Sequence, residues 1–261
     1  MNPKLMGVVN VTPDSFSDGG LYLDAEAAIA HGHKLAEQGA ELLDVGGEST
    51  RPGAGEVSAD EELARVEPVV RGLAGVATVS IDTSKAAVAG AALDAGASIV
   101  NDVTALRHDP DIAALCAERG AVLILMHMQG DPRTMQENPT YDDVVDDVKA
   151  FLAERTEAAI EAGVAEELIW LDPGIGFGKN LDHNLELLRR LGELRELGRP
   201  LVVGTSRKSF IGKIDGSAVG ERRGGTIATS VLAAAEGADV LRVHDVAEAA
   251  QATKVANAIL G

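Results

Sequence analysis

The feature that most constrains the fold is a junction that occurs four times along the chain. At each one a helical pattern ends, the dipeptide Gly-Ala follows, and a short apolar run begins; the junctions start at Gly39, Gly96, Gly120 and Gly237. Glycine suits the left-handed residue just past a helix C-terminus, and so short a link leads directly into a strand. The repeated junction therefore predicts helices that alternate with buried strands.

Four further strand-like runs bring the predicted number of strands to eight. They cover residues 5–9, 78–81, 168–171 and 201–203. Between the strands lie helical patterns, with start signals at Asp24, Ser84, Asp182 and Asp245. The longest pattern spans residues 141–162 and places these residues on one apolar stripe: Val144, Val145, Val148, Leu152 and Ala159.

Eight alternating strand–helix units have the size and order of an α/β protein with a (β/α)8 TIM barrel. A doubly wound open sheet is the alternative, but no glycine fingerprint at dinucleotide spacing follows the first strand. No linker rich in Pro, Gly or Ser divides the chain, so we predict one domain over residues 1–261. Long βα loops are predicted at residues 11–23 and 46–55, and such loops on a barrel are usually lids or binding loops.

Composition and charge exclude several classes of function. Of the 261 residues, 46% are hydrophobic but only 3% aromatic, which favours a core of Ala, Val, Leu and Ile around a parallel sheet. A net charge of -18 argues against binding to nucleic acid or to an anionic membrane. Cys116 lies in an apolar helical pattern and is predicted to be a buried thiol. Because no long apolar segment follows the start, we predict no signal peptide or membrane span and a cytoplasmic location.

Every predicted strand ends in a polar residue. In a barrel these ends and the loops after them form the site. Two of the residues have a structural alternative, since Asp44 could only cap the glycines after it and His127 could only fill space. The residues at the predicted strand ends are Asn10, Asp44, Asp82, Asn101, His127, Asp172, Lys208, Arg242 and His244.

Two groups of these side chains suggest a ligand with two chemical parts. Arg242 and His244 fall on one face of the eighth strand, and with Arg51 from the second loop they favour a phosphate or diphosphate. An acceptor-rich group suits a flat heterocycle that is rich in donors, flanked by two apolar side chains. The acceptors are Asp82, Asn101 and Asp172, and the flanking residues are Met126 and Phe177.

The metal prediction follows from the ligand types that the sequence offers. No cluster of Cys and His has the spacing of a protein-only metal site. A hard cation held by one amide oxygen and by substrate phosphates fits better, which predicts Mg²⁺.

Seven segments together resemble the dihydropteroate synthase family. They are NVTPDSFSDGG at 10–20, DVGGESTRPG at 44–53, SIDT at 80–83, ND at 101–102, DPGIGFGK at 172–179, GTSRKSF at 204–210 and RVH at 242–244. The resemblance runs from about residue 5 to the C-terminus, in the order that the family shows, and no motif position departs from it.

The resemblance implies that 6-hydroxymethyl-7,8-dihydropterin diphosphate and 4-aminobenzoate combine to give 7,8-dihydropteroate and diphosphate. It also implies a homodimer, two mobile loops that close over both substrates, and sulfonamides as competitors of 4-aminobenzoate. The implied pterin-binding residues are Asp82, Asn101, Asp172, Lys208, Met126, Phe177 and Gly204. The diphosphate is assigned to Arg51, Arg242 and His244, 4-aminobenzoate to Thr50, Pro52, Phe16 and Ser209, and Mg²⁺ to Asn10. The resemblance further implies that the catalytic residues are Asp82, Lys208, Arg242 and His244.

Two alternatives and one open residue remain at this point. A methyltetrahydrofolate–corrinoid methyltransferase-like enzyme shares the barrel and the acceptor group, but needs neither a diphosphate clamp nor the loop at 10–20. An inactive paralogue that only binds pterins is expected to have lost Thr50 and Arg51 or to have altered Asn10, and this sequence retains them. For Arg207 we predict a structural ion pair.

Overall fold

The computed structural model describes residues 2–12, 25–49, 55, 57–131 and 134–260, and within them eight parallel strands surround one axis. The strands lie in the order β6-β5-β4-β3-β2-β1-β8-β7, and a bridge between Leu171 and Leu201 joins β6 to β7. The predicted (β/α)8 barrel is therefore confirmed. The strands are β1 (Lys4–Asn10), β2 (Leu42–Gly46), β3 (Thr78–Asp82), β4 (Ile99–Asp102), β5 (Val122–Met126), β6 (Ile169–Asp172), β7 (Val202–Val203) and β8 (Val240–Val243).

Helices connect successive strands on the outside of the barrel. They are α1 (Ala25–Glu37), α2 (Ala59–Leu73), α3 (Ala86–Ala95), α4 (Asp111–Arg119), α5 (Val144–Glu161), α6 (Leu181–Arg189), α7 (Ser209–Asp215), α8 (Arg223–Ala235) and α9 (Val246–Leu260). Short 3-10 helices cover Glu166–Leu168, Leu191–Leu197 and Val219–Glu221. The five residues predicted on the stripe of the longest helix are the buried residues of α5.

The Gly-Ala junctions end helices as predicted. Gly96 follows α3 with a φ of 116°, and its N–H donates to the carbonyls of the last helical turn. Gly120 follows α4 with a φ of 61° and does the same. Because an L side chain rarely adopts these angles, glycine is what allows the chain to turn directly into β4 and β5.

Two of the predicted helix starts are wrong in detail. Asp182 lies within the first turn of α6, and the cap is Asn180, whose Oδ1 accepts the N–H of His183 at 2.8 Å. Ser84 does not cap α3 either, because Lys85 holds the capping position and the N–H of Ala86 donates to Asp109 at 2.8 Å. In both places a better-placed acceptor replaces the residue that the local sequence favoured.

Two parts of the core, one outside and one inside the ring of strands, together leave one end of the barrel for a site. The larger part fills the space between the strands and the helices, and it includes Cys116, whose thiol pKa burial raises to about 12. The smaller part fills the interior of the barrel below its C-terminal end. It consists of Met6, Leu42, Ile99, Ile124, Val202 and Val240.

The loop predicted at residues 11–23 lies mostly outside the described residues, and the loop predicted at 46–55 lies partly outside them. The assignment of residues 1–261 to one domain stays a prediction. Among the helices of the described ranges, none has the length and apolar character needed to cross a membrane.

Candidate active site

A cavity of about 330 Å³, including the part open to solvent, lies at the C-terminal ends of the strands. All the residues to which the sequence assigned a pterin line it, together with Arg242. The structure thus brings this predicted set together in one place. The lining residues are Asp82, Asn101, Val103, Met126, Asp172, Gly174, Ile175, Phe177, Gly204, Lys208 and Arg242.

Strand alternation explains why these side chains meet. Side chains two residues apart on a strand point to the same face. Asn101 comes two residues after Ile99, and Arg242 two after Val240, both of which fill the barrel interior. Asn101 and Arg242 therefore point inward just above the apolar layer.

Arg242 is bound to two carboxylates inside the barrel. Its Nε donates to Oδ2 of Asp44 at 2.6 Å, and its Nη2 donates to Oδ2 of Asp82 at 2.8 Å. Asn101 Nδ2 donates to the same Oδ2 of Asp44 at 3.1 Å. Four of the polar side chains at the strand ends therefore form one connected network.

Asp44 is a functional residue whose role was predicted incompletely. The sequence offered only a capping role for it as the alternative to a place at the rim, whereas its fully buried carboxylate accepts from Arg242 and Asn101. Its other oxygen, Oδ1, is buried and has no hydrogen-bond partner within the described structure. The sequence did indicate this position, because Asp44 comes two residues after Leu42, and side chains two residues apart on a strand point to the same face.

The network affects the pKa values of both Asp82 and Arg242. Burial raises the pKa of Asp82, Arg242 opposes that rise, and the nearby carboxylates of Asp44 and Glu62 add to it. Burial alone would lower the pKa of Arg242, but the Asp44 and Asp82 carboxylates overcome burial and raise it. Arg242 is therefore a permanent cation, and Asp82 holds a proton more readily than an ordinary carboxyl does.

Lys208 and Phe177 form a second pair at the cavity wall. Nζ of Lys208 lies 4.0 Å from the centre of the Phe177 ring, which is a cation–π distance. Burial lowers the pKa of Lys208 to about 8, with Asp172 opposing that shift. Burial raises the pKa of Asp172, and the N–H of Gly174, which donates to it at 2.7 Å, opposes that rise.

An apolar wall closes another side of the cavity. Val103, Met126, Met128 and Met135 form one buried cluster, and Phe177 packs against it. Met126 and Phe177, predicted to flank the ligand, both line the cavity. Flat apolar surfaces of this kind suit the faces of a heterocycle whose edge meets Asp82, Asn101 and Asp172.

The predicted anion-binding residues are only partly beside the cavity. Arg242 lines it, whereas His244 does not, and Nδ1 of His244 lies 2.9 Å from Oγ of Ser206. The backbone N–H of His244 also donates to that oxygen at 3.2 Å. Ser206 was not predicted, although its place in the loop after β7 next to β8 is the available signal.

Asn10 lies at the end of β1 beside Gly46 and Asp82. An ideal Cβ built on Gly46 would lie 3.8 Å from Oδ1 of Asn10 and 3.7 Å from Oδ2 of Asp82. Within the described ranges, no group of three or more His, Cys, Asp or Glu side chains is arranged to hold a metal ion. The donor set at this point is thus an amide oxygen near a carboxylate, which suits a hard cation whose other ligands come from substrate and water.

The ion pair predicted for Arg207 is present. Its Nη2 donates to Oδ1 of Asp245 at 2.7 Å and its Nε to Oδ2 at 3.1 Å. Asp245, which the sequence suggested as a helix start, is therefore engaged by Arg207 at the N-terminal end of α9. This contact ties the loop after β7 to the loop after β8.

The residues predicted for 4-aminobenzoate are the least described. Ser209 is the first residue of α7, is exposed, and does not line the cavity. Phe16, Thr50 and Pro52 lie outside the described residues, as does Arg51 of the diphosphate set.

Comparison with known proteins gives consistent similarities over almost the whole chain. The family described as "Pterin binding enzyme" matches residues 6–244. The chain is 48% identical to the dihydropteroate synthase of Escherichia coli (strain K12), over 99% of this chain and 92% of that relative. It is similar to a dihydropteroate synthase structure from Yersinia pestis with a sulfonamide drug complex, with TM-score 0.95, 46% identity, and coverage of 99% and 94%. A Xanthomonas albilineans dihydropteroate synthase with 4-aminobenzoic acid gives TM-score 0.93, 48% identity, and coverage of 99% and 93%.

Proposed function

We propose how the site works from the premise that this chain belongs to the pterin binding enzyme family and, within it, to the dihydropteroate synthases. The enzyme is a transferase of folate synthesis that joins 6-hydroxymethyl-7,8-dihydropterin diphosphate to 4-aminobenzoate and releases diphosphate. The observation that carries the proposed mechanism is one cavity lined by acceptors, two cationic side chains and apolar side chains.

We propose that the pterin ring lies in this cavity, with its donor-rich edge toward the carboxylates of Asp82 and Asp172. Because Asn101 uses Nδ2 to bind Asp44, its amide oxygen remains for a substrate donor. Lys208 supplies a donor for the ring's acceptors, and Gly204 leaves room for close approach. Met126 and Phe177 lie against the faces of the ring.

The diphosphate is assigned to Arg51, Arg242 and His244. Arg242 holds Asp44 and Asp82 through Nε and Nη2, so its remaining N–H groups are the ones proposed to face the diphosphate. As the C–O bond to the diphosphate breaks, negative charge grows on the leaving group, where a fixed cation stabilises it. Positive charge grows on the pterin methylene at the same time, and the Asp82 carboxylate favours it.

The arylamine nitrogen then forms a bond to the methylene carbon. It is a nucleophile before any proton is removed, so the reaction requires no strong base. The proton that the nitrogen loses after attack passes to solvent or to the departing diphosphate. The 4-aminobenzoate site is assigned to Phe16, Thr50, Pro52 and Ser209, and sulfonamides are proposed to compete there.

We propose Asn10 as the protein ligand of Mg²⁺. The fit rests on its Oδ1, which lies near Asp82, and on the preference of Mg²⁺ for oxygen ligands supplied by substrate and water. When bound, Mg²⁺ neutralises charge on the diphosphate.

A homodimer and a cytoplasmic location are proposals as well. Exposed apolar side chains support the dimer, because a monomer would leave them in water. They include Leu232 on α8 at 62% exposed and Ile259 on α9 at 76% exposed. Sedimentation of wild type and of Ile259→Asp tests this, and we expect the variant to sediment as a smaller species.

A diphosphate-release assay tests the function. We expect release to require the pterin substrate, 4-aminobenzoate and Mg²⁺, and to be abolished by Asp82→Ala and by Lys208→Ala. Circular dichroism of each variant controls for folding. Methyl transfer to a corrinoid, or pterin binding without turnover, would refute the assignment.

A further inference from the structure

A lysine that does not line the cavity is fully enclosed behind one of its walls. The side chain of Lys179 is buried, with 1% of its surface exposed. Its Nζ lies 3.0 Å from the carbonyl oxygens of Gly174 and Phe177 and 2.8 Å from Nδ1 of His127. An ammonium group has three N–H donors. Each of them therefore has an acceptor, and two of the acceptors belong to the turn that follows β6.

The same turn is held at two more carbonyl oxygens. Gln136 Nε2 donates to the oxygen of Gly176 at 2.6 Å, and the hydroxyl of Tyr141 donates to that of Gly178 at 2.6 Å. Neither Gln136 nor Tyr141 lines the cavity. Lys179, Gln136 and Tyr141 thus form a donor set that binds the turn without lining the cavity.

The turn is also seated directly on the chain after β5. An ideal Cβ on Gly174 would lie 1.8 Å from the carbonyl oxygen of His127, and one on Gly178 would lie 2.6 Å from that of Gln129. Both glycines have positive φ, at 66° and 61°. Only glycine permits this close contact, so the position of the turn relative to β5 is fixed.

The turn also carries residues that form the cavity. Phe177 belongs to the turn, and its ring lies beneath Nζ of Lys208. Gly174 belongs to it as well, and its N–H donates to the carboxylate of Asp172. Ile175 lines the cavity as well. The placement of the pterin wall and of one acceptor therefore depends on how the donor set holds the turn.

We propose that Lys179 is a positioning residue for the pterin: it fixes the turn at residues 173–178 so that Phe177 and Asp172 face the substrate in the right place. This inference rests on the proposed function, because it takes the pterin to be the ligand of the cavity. Lys179 acts through Phe177 and Asp172 and touches no substrate.

Burial governs the protonation of His127 and Lys179. Burial, together with the charges of Lys179 and Arg107, lowers the pKa of His127 to about 2, so His127 is neutral and can accept through Nδ1. Burial also lowers the pKa of Lys179 well below its usual range, and Asp172 opposes that shift. In Lys179→Met the two carbonyl oxygens and the imidazole nitrogen would lose their donor while the volume stays similar.

The first experiment measures substrate binding by Lys179→Met. Calorimetry gives the Kd of the pterin substrate, and steady-state kinetics give the KM for 4-aminobenzoate. We expect the pterin Kd to rise about 10- to 100-fold, because a displacement of about 1 Å has effects of this size. We expect the KM for 4-aminobenzoate to change less than about 3-fold, since the turn does not carry its assigned residues. A folded variant with wild-type pterin affinity would overturn the proposal.

A second variant and a control keep the test decisive if Lys179→Met does not fold. Tyr141→Phe combined with Gln136→Leu removes the two other donors to the turn and keeps Lys179. We expect a pterin Kd about 3- to 10-fold above wild type, and an unchanged Kd would contradict the proposal. Lys149→Met, on the exposed side of α5, is expected to leave the Kd unchanged. If wild type itself binds no pterin, the proposed function fails, which differs from a failure confined to these variants.

Discussion

Nε of Arg242 donates to Oδ2 of Asp44 at 2.6 Å, and this bond joins β8 to β2 across the inside of the barrel. Asp44 is fully buried, and Arg242 also holds Asp82, which lines the cavity. Arg242 is therefore oriented by a carboxylate below the site as well as by one within it. A cation held in this way needs little rearrangement to stabilise a departing diphosphate.

We expect Asp44→Asn to lower both stability and turnover. The substitution keeps the size of the side chain but removes one of the two carboxylates that compensate Arg242. Removing one partner of a buried ion pair costs about 3–5 kcal/mol, and we expect the lower end because Asp82 remains. Urea denaturation measures this loss, and kcat should fall about 10-fold or more as Arg242 loses its fixed orientation.

Asp94→Asn is the matched control for that experiment. Asp94 is paired with Arg119 at the surface, where both side chains are well exposed. An exposed pair of this kind contributes about 0–1 kcal/mol. Equal effects of the two substitutions on stability would contradict the role assigned to Asp44.

The pH dependence of kcat/KM for the pterin substrate should follow Lys208. Burial lowers the pKa of Lys208 to about 8, so the ammonium group proposed to face the pterin ring loses its proton as the pH rises through about 8. We expect kcat/KM to fall there, and in Lys208→Arg the fall should move to higher pH because a guanidinium stays charged. On the acid side, kcat/KM should begin to fall at a pH above the ordinary carboxyl range, because the pKa of Asp82 is raised.

The contribution of Lys208 to the free energy of unfolding should rise with pH in the alkaline range, where kcat/KM falls. The pKa of Lys208 in the folded enzyme lies below its ordinary 10.5, so the unfolded chain binds more protons between about 8 and 10.5. The contribution of Lys208 to stability therefore rises with pH in that window, while activity falls. Denaturation measured beside the kinetics separates loss of charge from unfolding, and a parallel fall of both would contradict this account.

Part of the site could be predicted from where the strands end. Asp82, Asn101 and Asp172 were predicted because each ends an apolar run, and inward-facing ends of parallel strands meet in a barrel. The pairing of Asp44 with Arg242 could not be predicted in the same way. The two residues are 198 positions apart, and only the closed barrel decides which carboxylate Arg242 reaches.

At the helix starts, too, the local sequence does not decide which polar side chains pair. Asp182 is a reasonable cap by local sequence, but Asn180 satisfies the N–H of His183 because the turn before α6 places it there. Asp245 was read as a helix start, and its carboxylate is engaged by Arg207 from the neighbouring loop. Local patterns thus gave the elements and their order, whereas tertiary contacts decided which polar side chains pair.

A buried cluster beside the second βα loop gives a stability prediction. Nζ of Lys85 lies 2.5 Å from carboxylate oxygens of both Glu48 and Glu62, and Glu62 is fully buried. Lys85→Met would leave both carboxylates without their cation, and we expect a loss of about 3–5 kcal/mol. Lys149→Met breaks an exposed pair with Glu196 and should cost about 1 kcal/mol or less. Urea denaturation of both variants measures the difference, and similar losses would show that the Lys85 cluster behaves like a surface pair.

Two glycines with similar backbone angles, Gly174 in the turn after β6 and Gly216 after α7, distinguish the cost of backbone strain from the cost of a steric clash. Gly174 and Gly216 have φ values of 66° and 79°. An added Cβ at Gly174 would lie 1.8 Å from the carbonyl oxygen of His127, whereas one at Gly216 would meet no atom of the described chain within 4 Å. Gly216→Ala should therefore cost only the backbone strain of about 1–2 kcal/mol and keep pterin affinity.

Gly174→Ala should cost more, because the turn must also move away from His127. That movement displaces Phe177 and releases the N–H that holds Asp172, so we expect pterin binding to weaken at least about 100-fold. Thermal denaturation and calorimetry with the pterin substrate measure the two effects on both variants. If Gly174→Ala matched Gly216→Ala in stability and affinity, the contact between the turn and the chain after β5 would not be what places the pterin wall.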